Sequence, residues 1–259
     1  MQSASAISAT EILGIRIHIL SKQEALQAVT LAIEKKNKLY AVTVNPEFVL
    51  TAQQDSSFAE ILNRADFSFA DGIGLVYASW LNRFLNRTSS MLLETIPGVD
   101  LVDLLINYAG QKKLAVFFLG GDEGMAEKTA RYFQTKYPGL VIAGFFEGNG
   151  REAGDNETRQ EIAKASNKVG AKIAFLFVAY GHPKQEKWIA RNLPFTPVRF
   201  AMGVGGAFDI FGGKKGATPS LLRRLGLDWL WRLCLEPSRF MRTFRAVIIF
   251  PLTIVFNRR

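Results

Sequence analysis

The sequence predicts an α/β fold, a mostly parallel sheet flanked by helices and followed by a helical C-terminal appendage. Apolar runs of strand length alternate with helix-period segments from residue 11 to about residue 213, the pattern of a layered α/β domain. After Gly216 the strand-like runs stop and only helix-period sequence follows. Residues 180–213, reading YGHPKQEKW, a short apolar run and then AMGVGGAFDIFGG, have the form of two neighbouring strand ends that open into glycine-bearing loops. Small ligands bind at that edge of open α/β sheets.

Taken in order, MQSASAISAT lacks a basic segment followed by an apolar one, so it reads as a loose end rather than a secretory signal. Ile15, Ile17 and Ile19 alternate with Arg16 and His18, which predicts a half-exposed strand pair near the start. Ser21 and Glu24 have capping-box spacing before a helix carrying Ala25, Leu26, Val29 and Ile33 on its apolar face. Strands are expected at 39–44, 67–70, 114–119, 140–145, 173–178 and 198–202, with helices between them as right-handed parallel crossovers. Asn45 and Pro46 suit the cap and first position of a helix after the 39–44 strand. The longest irregular stretch is 82–97, and a loop of that length inside a compact domain is usually functional or mobile. Gly181 and Pro183 end the 173–179 apolar run, with Pro183 placed as a first helical residue and Lys184, Gln185 and Glu186 in the first turn. In the tail, Thr218 and Pro219 read as a helix start, Pro237 as a break and Ser238 onward as a second helix. The architecture is Rossmann-like, divided into an α/β catalytic domain over 1–216 and a basic amphipathic helical appendage over 217–259.

A chain of 259 residues, 48% hydrophobic, buries a full core in one or two domains. The single cysteine, Cys234, excludes an intrachain disulfide and points to a reducing compartment. The net charge of +9 is concentrated at the end, where residues 214–259 hold ten Lys or Arg against Asp228 and Glu236. A near-neutral body with a basic tail implies an anionic partner for the tail. The last apolar run, 246–256, contains Pro251 and is too short to span a bilayer as a helix. Aromatic, Arg-rich helices of this kind lie on membrane surfaces.

Several positions have the residue types that chemistry needs. Asp71 ends the apolar run FSFA and precedes Gly72, so it suits either a general base at a strand end or the N-cap of the next helix. Thr43 places a hydroxyl in an otherwise apolar strand end, where it requires a partner. Gly203, Gly205 and Gly206 leave backbone amides open to close approach by a phosphate or sugar, or merely shape a tight turn. Residues 119–124, LGGDEG, lie between a strand and a helix but miss the G-x-G-x-x-G spacing, and there is no G-x-x-x-x-G-K-[ST]. His18 and His182 are too few and too far apart for a metal cluster, and no Asp-x-Asp occurs, so no metal or other cofactor is expected. Arg232, Arg239 and Arg242 stand at i, i+7 and i+10 across Pro237, a spacing that suits convergence on one anion and equally a solvated basic face.

Together these residues resemble the WecG/TagA/CpsF family of bacterial glycosyltransferases. The likeness runs through TVNPEFV from Thr43, ADGIG from Ala70, PGVDL from Pro97, GHPKQEKW from Gly181, AMGVGGAFD from Ala201, and RLGLDWLWRL with EPSRF in the tail. It implies an inverting enzyme that moves an N-acetylmannosamine-type sugar from a UDP donor to a polyprenyl-diphosphate-linked sugar. The setting it implies is cytoplasmic and peripheral, on the inner face of the cell membrane. Carried over, the family pattern makes Asp71 the general base, Thr43 and Gln185 pocket contacts, and Arg232, Arg239 and Arg242 the residues that close over the diphosphate. Asn45, Gly203 and Gly205 complete the substrate-binding set. Where the family has Glu-Arg, this chain has Glu94-Thr95, leaving Arg83 or Arg87 of the same loop as replacements. The expected partners are the two substrates and an anionic membrane surface, with no nucleic acid; a homo-oligomer is compatible with the sequence. Two rival readings are a nucleotide-binding oxidoreductase, from the 120–124 loop, and a non-enzymatic basic adaptor for membrane or nucleic acid, from the tail.

Overall fold

The computed structural model describes residues 7–35, 38–85, 87–88, 90–216, 218–219, 222 and 227–256, except for the side chains of 228, 232 and 239. Its centre is a six-stranded sheet in the order β4-β3-β8-β7-β5-β6. The strands are β3 (Leu39–Val44), β4 (Phe67–Ala70), β5 (Ala115–Gly120), β6 (Val141–Phe146), β7 (Ile173–Ala179) and β8 (Val198–Gly203). Every pairing in this sheet is parallel. Such strands are buried on both faces, which is why they read as continuous apolar runs. Phe118, Phe175, Phe177 and Phe200 point to one face, against α1 (Lys22–Glu34), α5 (Gly98–Gln111) and α6 (Met125–Lys136). Phe117, Leu176, Val178 and Ala201 point to the other, where Trp188 of α8 (Lys184–Asn192) is fully buried.

The predicted strand pair is a separate antiparallel hairpin of β1 (Ala9–Ile12) and β2 (Ile15–His18). It is less exposed than the alternation suggested: His18 is buried, and its Nδ1 accepts from the Ser68 amide of β4 at 2.9 Å. The hairpin therefore docks on the sheet through a residue whose type suggested solvent. The expected capping box forms, with Ser21 and Glu24 bonding each other's backbone amides. Asn45 caps α2 (Pro46–Ala52) as predicted. Pro183 sits one position earlier than expected, as the cap of α8 rather than its first residue. The irregular stretch is shorter than read, because α4 runs from Ile73 to Phe84.

In the tail, Asp228–Leu235 is helical, and a 3₁₀ turn at Pro237–Arg239 leads into the helix Phe240–Phe244. Helix continues to Phe256, but residues Arg245–Ile249 form a π turn. Pro251 gives the physical reason, since proline clashes with the carbonyl four residues back and a wider turn there makes room. Phe250 and Ile254, one turn apart, are buried among Val76, Phe48 and Leu92. The last described helix is thus packed into the body. Among the described residues no helix is long and apolar enough to cross a membrane. The helix start expected at Thr218 and Pro219 is not settled, because its first turn falls largely outside the described residues.

Candidate active site

All six strands end at the same edge, and the residues at or just after these ends line one cleft of about 790 Å³. Register brings them level: Val44 lies opposite Ala70, Gly120 opposite Ala179, and Val178 opposite Gly203. Thr43 lines the cleft from β3 and packs on Gly98, where a Cβ would come within 3.4 Å of its methyl. Asn45 also lines the cleft, but its Oδ1 accepts from the Glu47 and Phe48 amides at 2.9 and 3.1 Å and holds the start of α2.

Asp71 follows β4 and faces the same space. Its amide donates to the Val44 carbonyl at 2.6 Å, and the Ala70 carbonyl beside it accepts from Ile96 at 2.7 Å. The N-cap position of α4 is Gly72, at φ 108°, which has no side chain to bond the helix amides. Of the two roles open to Asp71, capping is therefore not the one it fills.

At the end of β7, Gln185 lines the cleft although it is only 2% exposed. Its Oε1 accepts from the Gly205 amide at 3.0 Å and its Nε2 donates to Glu186 Oε1 at 2.6 Å. Gly205 lines the cleft at φ 49°, in the left-handed region that favours glycine. Gly203 stands behind rather than beside the cleft, and a Cβ there would lie 2.6 Å from both Gln185 Nε2 and Glu186 Oε1. Its missing side chain makes room for that buried pair rather than for a ligand.

The C-terminal segment returns to the same edge, so that Glu236, Ser238 and Arg242 line the cleft opposite the strand ends. Arg242 holds Glu47 with a fork, Nη2 at 2.6 Å and Nε at 3.0 Å. The side chains of Arg232 and Arg239 lie outside the described residues. Neither Arg83 nor Arg87 lines the cleft; Arg87 donates to the Ile254 carbonyl at 2.6 Å and ties its loop to the last helix.

Two residues that sequence reasoning passed over also line the cleft. Lys215 bridges Asp209 at 2.5 Å and Glu236 at 2.6 Å, joining the glycine loop to the returning tail. Burial opposes its charge, but the hydrogen bonds to both carboxylates outweigh this and raise its pKa. His182 stacks on Phe48, with ring centroids 4.9 Å apart. Burial pulls its pKa below the ordinary value, Glu47 opposes this, and Arg242 and Arg245 add to it, so the ring is neutral at pH 7. Its place inside GHPKQEKW was the available signal. On the far side, Gly121 and Asp122 complete the wall, and Lys214 pairs with Asp122 and holds its carboxyl below the usual range.

The arrangement sets a strand-end carboxylate against cationic groups from a different part of the chain, across a space large enough for a nucleotide sugar. Among the described residues no group of three or more His, Cys, Asp or Glu is placed to hold a metal ion. A model of the glycosyl transferase WecG/TagA/CpsF family matches residues 10–259. An N-acetylglucosaminyldiphosphoundecaprenol N-acetyl-beta-D-mannosaminyltransferase of Bacillus spizizenii is 33% identical over 214 residues, 82% of this chain and 77% of that one. Proteins of the same name from Bacillus subtilis and Staphylococcus aureus are 32% and 28% identical, the latter over 100% of this chain and 97% of its own. With nearly the whole sequence matched, the chain belongs to the glycosyl transferase WecG/TagA/CpsF family.

Proposed function

We propose that this chain transfers an N-acetylmannosamine residue from UDP to N-acetylglucosaminyl-diphospho-polyprenol, with inversion at the anomeric carbon. The observation that carries this reading is Asp71, a strand-end residue one position before the helix N-cap that lines the same cleft as Arg242 of the tail. The relatives' names supply the acceptor and the sugar transferred, and the UDP carrier is what the family resemblance implies. In the proposed step, the Asp71 carboxylate takes the proton of an acceptor hydroxyl as that oxygen attacks the anomeric carbon. The bond from that carbon to the UDP oxygen breaks, and its electron pair leaves with UDP. Guanidinium groups of the tail stabilise the charge that develops there; Arg242 is the one whose side chain is placed, and Arg232 and Arg239 are assigned with it. General-base help and electrostatic stabilisation each contribute roughly 100-fold or more.

Thr43 and Asn45 border the sugar side of the cleft in this reading, and Gly205 the phosphate side. The strand ends bind and react, while the basic, aromatic tail both covers the site and rests on an anionic membrane surface at the cytoplasmic face. Family membership sets aside the oxidoreductase and adaptor readings. The test is a donor panel of UDP-sugars with a short-chain lipid-diphosphate N-acetylglucosamine acceptor, following UDP release and the anomeric configuration of the product. Release dependent on both substrates, with the β-linked product, is expected. No release from any N-acetylhexosamine donor, or retention of configuration, overturns the proposal.

A further inference from the structure

The glycine loop after β8 is held from behind by a buried carboxyl that the proposed chemistry does not use. Glu186 is 1% exposed, in the first turn of α8. Its Oε1 accepts from Gln185 Nε2 at 2.6 Å, while its Oε2 has no hydrogen-bond partner. Burial without a cation pushes its pKa up to about 8, so at neutral pH the group is mostly the protonated acid. An unpartnered buried polar oxygen is costly and calls for an explanation.

The use of the buried carboxyl follows from its bonded oxygen, Oε1, and the next bond in the chain. Gln185 is an amide, and a half-turn of its end exchanges its oxygen and nitrogen. In the observed orientation the oxygen accepts from the Gly205 amide at 3.0 Å. In the flipped orientation the Gln185 NH₂ would face the Gly205 N–H, donor against donor. The Gly205 N–H, which can only donate, favours the observed orientation, and the acceptor at Glu186 Oε1 holds the other end of the amide in it. Gly203 belongs to the same device, since a Cβ at that position would lie 2.6 Å from both interacting atoms.

We propose that Glu186 is a positioning residue: its carboxyl fixes the Gln185 amide in the orientation that anchors Gly205, and so sets the glycine loop that lines the cleft. The loop's use in binding UDP rests on the function proposed above; its anchoring does not. The test compares full-length Glu186→Gln, which keeps an acceptor oxygen, with Glu186→Leu, which fills similar volume without one. Hydrogen exchange at the Gly205 amide should quicken by about tenfold or more in Glu186→Leu, the scale of one lost hydrogen bond, and stay near wild type in Glu186→Gln. With substrates, Glu186→Leu should raise KM for the UDP-sugar more than it lowers kcat, and Glu186→Gln should restore it. Gly203→Ala, which leaves both side chains in place but crowds them, should quicken the same amide and serves if Glu186→Leu fails to fold. Unchanged exchange at Gly205 in folded Glu186→Leu and Gly203→Ala, or a Glu186→Gln protein as impaired as Glu186→Leu, overturns the proposal. A wild-type protein that binds no UDP but shows the exchange pattern would instead overturn the function and leave the anchor standing.

Discussion

Asp71→Asn separates chemistry from architecture at the centre of the proposed site. The substitution keeps the side chain's shape and removes its basicity. The backbone at this position is fixed by its own amide on Val44 and by Ile96 on the neighbouring carbonyl, neither of which involves the carboxylate. Gly72, not Asp71, caps α4. The cap position is untouched and the amide keeps the side chain's hydrogen-bonding shape, so the melting temperature should move by less than about 4 °C, the equivalent of about 1 kcal/mol in a chain of this size. Loss of general-base help should reduce turnover by roughly 100- to 10,000-fold, or about 3 to 5 kcal/mol of transition-state stabilisation. The assay is UDP release at saturating donor and acceptor, beside UDP affinity by calorimetry and a thermal melt. A folded variant that keeps more than about a tenth of wild-type turnover removes Asp71 from the role of base. A variant that loses activity only because it unfolds shows the residue to be structural.

Arg242→Ala should weaken UDP binding by about tenfold or more while barely changing stability, since the exposed pair it forms with Glu47 is worth about 1 kcal/mol or less; unaltered UDP affinity would make Arg242 a strut. Activity should survive a chelator, because the chain has no Asp-x-Asp and its tail supplies arginines instead; a metal-stripped protein revived by magnesium would refute this. His18, buried and accepting from the Ser68 amide, has its pKa lowered to about 4 by burial first and Arg16 second. The folded state therefore holds it neutral, and its contribution is complete above pH 6.5 and lost as pH falls towards 4, a decline of roughly 3 kcal/mol. Thermal melts between pH 7 and 4 should show a shallower decline for His18→Asn, and equal slopes would refute the assignment.

The strands were readable because burial on both faces leaves few polar positions within them, and none in the run Ile173–Ala179. Their ends were read within one residue, the difference falling on small residues such as Gly120 and Ala179, whose composition looks like loop. Asp71, Thr43 and Gln185 were legible through motifs at strand ends, and the structure brings all three to one cleft. Glu186 was not. In sequence it is an acid in a helix's first turn, where exposure and a favourable dipole are the default. Only the β8 backbone passing behind it as Gly203 reveals that it is buried. Lys215 and His182 were missed for the same reason: their partners, Glu236 and Phe48, are remote in sequence.

The tail combines two surfaces that the sequence blends into one apolar, basic stretch. Phe250 and Ile254 are core residues, whereas Leu252, Val255 and Phe256 on the same helix are exposed. Arg87 locks the loop after α4 onto this helix through the Ile254 carbonyl, and Tyr77, Trp80 and Phe84 of α4 remain exposed nearby in the chain. A deletion after Gly216 would therefore uncover the cluster around Phe48 and Val76 and remove Glu236 and Arg242 from the cleft in one step. Lost membrane binding or lost turnover in such a deletion would say little about either role. Changes confined to Leu252, Val255 and Phe256 leave the buried face intact, and Arg242→Ala leaves the exposed apolar face intact. Different residues of one segment carry the two surfaces, so the proposed anchoring and the proposed closure of the site are separable by substitution and inseparable by truncation.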